Sequence, residues 1–172
     1  MKPAAAILLL FLSLFSLGQT GKNVSLKALA NFNFATNGLA TNEAGAGLGL
    51  DASFFSKKKI QLLFELSSDW FFGDKLLVVD NATGKEAKKA AIHSIKAGPQ
   101  LVLSNKMTIA ATYGPAWHVL RDFHFSTDAG FKFSLSGFWG TNNCFATKIF
   151  FVTIPTDQQN ISYFGVAAGI KF

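Results

Sequence analysis

Apolar and polar residues alternate with period two over most of the chain, in eight separate segments, and this constrains the fold more than any other feature. In the first segment Leu26, Ala28, Ala30, Phe32 and Phe34 share one face, and Ser25, Lys27, Asn31 and Asn33 share the other, with Leu29 as an exception. Period two is the spacing of a strand whose two faces meet different surroundings. The pattern returns at Leu48 to Phe54, at Ile60 to Leu66, at Ile95 to Leu103, at Ile109 to Val119, at Phe131 to Trp139 and at Phe164 to Phe172. In the seventh segment, 145–154, Lys148 alone sets the phase, which places Phe150 and Val152 on the charged face.

Spacing between the segments predicts how they are joined. The connections around 56–59, 104–106 and 141–143 are short, whereas 35–44, 71–91, 121–129 and 155–160 are longer and more polar. Short turns at one end and long loops at the other are the layout of an outer-membrane barrel. The expected fold is therefore all-β: an eight-stranded antiparallel up-and-down transmembrane β-barrel. Strand faces that carry Gly, Ser, Thr and charge would make a poor soluble core and suit a barrel interior. Aromatic residues cluster near the ends of the opposite faces, with Trp70, Trp117 and Phe164 at the loop end and Phe54, Trp139 and Phe172 at the turn end, as two girdles would require. Composition agrees, since 49% of residues are hydrophobic and 15% charged, which excludes a disordered chain.

Residues 1–18 read as a secretory signal peptide: Lys2 precedes an apolar run from Ala4 to Leu17, and Ser16 and Gly18 stand at the −3 and −1 positions of a cleavage site. The run is too short to span a bilayer as a helix. The barrel then occupies 19–172.

The ending, from Tyr163 to Phe172, places Phe164, Val166, Ala168, Ile170 and Phe172 on one face. It resembles the C-terminal assembly signal of outer-membrane barrel proteins. In layout the chain is similar to the small Gram-negative barrels typified by the OmpA membrane domain, OmpX and the PorT-like group, including Gly98-Pro99 and Gly114-Pro115 within strands. The resemblance implies export, insertion by the barrel-assembly machinery and residence in the cell outer membrane, in contact with its lipids and lipopolysaccharide. It implies no single activity. Each strand proline removes a ladder donor from a sheet with no free edge, so a bulge or bend is expected at both.

Chemistry-bearing residues are few. His93, His118 and His124 show no ligand spacing, and with Cys144 as the only cysteine no metal site or cofactor is expected. His124 and Ser126 match the His-x-Ser spacing of lipid A deacylases of the PagL type, but beyond Asp128 the only later carboxylate is Asp157, at the wrong remove to orient a base, so no catalytic residues are assigned. Gly45, Gly47 and Gly49 lie within a strand and open no phosphate-binding helix. The runs Lys57 to Lys59 and Lys88-Lys89 read as solvated connections, with no nucleic-acid partner, although Lys85, Lys88 and Lys89 could meet lipopolysaccharide phosphates.

A structural or interaction barrel is expected, displaying 71–91 to a surface partner, with Leu76 to Val79 and the turn-like Asp80 to Gly84 forming a hairpin. A small ion channel is the alternative, weakened because an eight-stranded interior is just wide enough for side chains to fill. The strand phases send Lys27, Asp51, Glu65, Lys96, Lys132 and Lys148 into that interior. A turn centred on Lys58 would set Asp51 opposite Glu65, a costly like-charge pair unless lysines approach. A salt-bridged lumen is the expected outcome, and an ion or proton path the alternative.

Overall fold

A computed structural model describes the backbone of residues 23–37, 44–72, 78–79, 86–87, 89–120, 123–156 and 160–172, and the side chains of 23–36, 44–72, 91–117, 127–156 and 160–172. The signal segment and most of the 71–91 loop lie outside the described residues.

The alternating segments form β1 (Val24–Asn37), β2 (Ala44–Phe54), β3 (Ile60–Phe72), β6 (Lys89–Ser104), β7 (Met107–Leu120), β8 (Phe123–Trp139), β9 (Phe145–Pro155) and β10 (Asn160–Lys171), with the short β4 (Val78–Val79) and β5 (Glu86–Ala87) between β3 and β6. The eight long strands pair antiparallel with their chain neighbours, and β10 returns to β1, so the sheet closes into an up-and-down barrel. Closure leaves no free edge. β4 pairs with β5 as a two-stranded sheet of its own, the hairpin expected within 71–91.

Side-chain direction follows the sequence phases. β9 alternates exposed and buried along its whole length, with Lys148, Phe150 and Val152 buried, as Lys148 alone indicated. Outward positions carry the large exposed apolar residues, among them Phe32, Leu48, Phe133, Ile149 and Val166. Trp70 is exposed at the loop end, and Trp139 and Phe172 at the turn end. Phe164, Val166, Ala168, Ile170 and Phe172 of the last strand are likewise exposed.

Two expectations are corrected. The 121–129 loop is reduced to 121–122, because β8 begins at Phe123 and Leu120 pairs with Phe123. The polar residues there belong to a strand whose period-two pattern continues through Phe123, Phe125 and Thr127; His124 and Ser126 therefore lie in β8, and their side chains fall outside the described residues. Of the bulge or bend expected at each proline, the bulge does not form. Ser94↔Ala116, Ala97↔Tyr113 and Gln100↔Ala110 keep one register across β6 and β7, which sets Pro99 against Ala111 and Pro115 against Ile95. The ladder lapses where the prolines supply no N–H, and each preceding glycine lets the opposite backbone close in. A Cβ on Gly98 would lie 2.1 Å from the Ala111 carbonyl oxygen, and one on Gly114 would lie 2.2 Å from that of Ile95.

Candidate functional site

The barrel interior holds the most concentrated chemistry among the described residues. The register lines up Lys96, Glu65, Asp51 and Lys27 on β6, β3, β2 and β1, so the two carboxylates do stand side by side. Lysines resolve their repulsion. Lys148 of β9 reaches across the lumen and donates to Asp51 at 3.0 Å and to Glu65. Lys132 of β8 lies 3.3 Å from Glu65, and the Thr112 hydroxyl also donates to Glu65. Lys27 Nζ is 2.9 Å from Asp51 Oδ2, close enough for charge attraction, although the amine is not aligned to donate a hydrogen bond.

All six predicted lumen residues are buried, and five are joined by these contacts. Lys96 is the exception. Its amine is buried without a hydrogen-bond partner among the described residues, even though Glu65 is its register neighbour. Aromatic faces complete the surroundings: the Lys132 amine sits 4.4 Å from the Phe150 ring centre and that of Lys171 4.7 Å from the Phe138 ring centre. Such contacts suit cations taken out of water.

A second polar cluster, toward the loop end, was not anticipated. Asp69 is buried and accepts hydrogen bonds from Asn31, from Asn33 at 2.8 Å, from the Tyr163 hydroxyl at 2.8 Å and from Ser67 at 3.3 Å. Four donors satisfy one carboxylate, with no cation paired to it among the described residues, as a buried anion requires of its donors. Its signal was present in the strand phases, since Asn31, Asn33, Asp69 and Tyr163 all lie on inward faces.

Beside this cluster the interior is apolar. Phe71, Ile92, Ala116, Val152, Ile154 and Ile161 are buried together with Tyr163, and the Phe71 and Tyr163 rings meet edge to face at 5.1 Å. Leu29, the exception to the first alternation, belongs to the same cluster. At the turn end Gln61 and Gln100 hydrogen-bond at 2.8 Å, and Gln61 also donates to the carbonyls of Ser56 and Lys58. The lumen is thus layered: amides at the turn end, charges in the middle, then Asp69 and its donors alongside packed hydrocarbon. Among the described residues no three His, Cys, Asp or Glu side chains converge as a metal site would need.

No protein-family model and no curated protein sequence matches this chain. Solved structures do. Neisserial surface protein A is similar with a TM-score of 0.61 at 13% identity, over 86% of this chain and 95% of that one. The N-terminal β-barrel domain of Pseudomonas aeruginosa OprF gives 0.56 at 13%, over 86% and 97%, and Ail, the attachment invasion locus protein of Yersinia pestis, gives 0.53 at 12%, over 87% and 97%. At these identities the likeness shows a shared fold, the closed eight-stranded barrel.

Proposed function

We propose that this chain is an outer-membrane barrel with a structural or interaction role, its lumen plugged by side chains and its long loops turned to the cell surface. The observation that carries this reading is the pairing of an apolar outward band with an interior of buried side chains bonded across the lumen. The outward face exposes large aliphatic and aromatic residues all round the barrel, which water would not tolerate as one continuous surface and lipid would. Inside, lysine–carboxylate contacts cross the lumen and an apolar cluster packs beside them, which supports a plugged interior in a barrel of only eight strands. The fold shared with barrels of bacterial outer membranes supports the same placement. Outer-membrane lipids and lipopolysaccharide, the barrel-assembly machinery acting on β10, and a surface protein meeting the 71–91 loop are the partners in this reading. No catalytic role is assigned.

Conductance separates a plugged barrel from a channel. Purified monomer in a planar bilayer is expected to show no large steady current, and an open, voltage-insensitive conductance would restore the channel. Deletion addresses display. Because β4 and β5 pair only with each other, removing residues 76–86 should leave insertion into vesicles unchanged while abolishing any contact made through that loop. A deletion variant that fails to insert would make the loop a structural part of the barrel.

A further inference from the structure

On the outward face of the barrel Ser68 of β3 and His93 of β6 stand directly opposite one another, with Ser68 Oγ 2.7 Å from His93 Nδ1. Both are half-buried. They line a groove of about 560 Å³ whose walls include Leu48, Leu66, Ile95 and Trp117, and Trp117 is the register partner of His93 on β7. Two polar side chains therefore sit among apolar ones on a face built mainly for hydrocarbon.

Counting hydrogens decides what fits them. If the hydroxyl donates to Nδ1, the ring proton is on Nε2 and remains as a donor; if Nδ1–H donates to the hydroxyl oxygen, the hydroxyl hydrogen remains. Either tautomer leaves one donor over, and among the described residues these side chains hydrogen-bond only to each other. A donor facing hydrocarbon is costly until it finds an acceptor. Depth identifies the acceptor. Trp70, the next outward residue of β3 toward the loop end, is about 7 Å along the strand from Ser68 and belongs to the girdle at the headgroup boundary. Just inside that boundary lie the ester and amide carbonyls that join acyl chains to a lipid headgroup, which accept hydrogen bonds and donate none from the carbonyl.

We propose that Ser68 and His93 form a lipid site, donating one hydrogen bond to an acyl-linkage carbonyl of a lipid A molecule in the outer leaflet while the acyl chain lies in the groove. The site rests on the outer-membrane placement proposed above. It is tested with lipid A titrated into the purified full barrel in detergent micelles, bound lipid being counted by native mass spectrometry for wild type and the double variants Ser68→Ala/His93→Phe and Ser68→Ala/His93→Leu, because either single change leaves one donor in place. Wild type is expected to retain one lipid A, and each double variant, left with no donor, to bind it about tenfold more weakly, the loss of roughly one hydrogen bond. Folded variants that bind lipid A as tightly as wild type would overturn the site, as would equal retention of phosphatidylethanolamine by wild type. Ser68→Ala/His93→Leu removes both donors with a smaller side chain and keeps the test decisive should Ser68→Ala/His93→Phe fail to fold. A wrong membrane placement would show separately, as wild-type protein absent from the outer-membrane fraction of cells.

Discussion

Glu65→Ala is expected to destabilise the folded barrel by about 3–5 kcal/mol, the usual cost of removing one partner from a buried ion pair. The variant strips Lys132 of its carboxylate, leaves Lys148 with Asp51 alone and frees the Thr112 hydroxyl. Two cations that had shared an anion then face each other in a narrow interior. Thermal unfolding in micelles, followed by the change in electrophoretic migration when a barrel opens, would measure the loss. Glu65→Gln should recover part of it, because the amide oxygen still accepts from Thr112. A Glu65→Ala barrel that melts with wild type would mean that water, and not the lysines, compensates the carboxylate.

The second large effect is expected from backbone. Gly98→Ala and Gly114→Ala each drive a methyl into a carbonyl oxygen of the facing strand, and a carbonyl fixed in the sheet cannot swing aside as a side-chain tip can. Each substitution should cost about 3 kcal/mol, at the upper end of ordinary overpacking, and the pair together should prevent closure of β6 on β7. Refolding yield into lipid vesicles is the measurement. Yields equal to wild type would show that the two strands can separate locally at no cost. Pro99→Ala and Pro115→Ala, which restore a donor, should be tolerated far better, and the contrast isolates close approach as the cause.

How much of this was legible beforehand depends on the range of the interaction. The strand phases were readable because one face meets hydrocarbon and the other the interior, and a single lysine, Lys148, was enough to orient β9. The opposition of Asp51 and Glu65 followed from counting outward from Lys58, since a short turn fixes the register of its two strands. What could not be read is which lysine crosses the lumen. Lys148 is 83 residues from Glu65 and 97 from Asp51, and their meeting depends on the tilt and stagger of the closed sheet, which no local pattern encodes. Lys96 shows the converse, adjacent to Glu65 by register yet without a hydrogen bond to it. The 121–129 segment was misread because its polar residues outweighed its alternation. The Asp69 cluster went unseen because amides and hydroxyls from β1, β3 and β10 gain meaning only once β10 lies against β1.

The distance along the chain between Glu65 and the lysines that reach it bears on how the barrel is assembled. Asp51 and Glu65 enter on neighbouring early strands, while Lys132 and Lys148 arrive on β8 and β9. In a sheet of β1 to β3 Lys27 already stands by Asp51, but Glu65 meets its cations Lys132 and Lys148 only when β8 and β9 come round. Favourable free energy is thereby withheld from partial structures and released at closure. The seam between β1 and β10 is then sealed cooperatively, and a barrel stalled before that step remains a poor occupant of the bilayer.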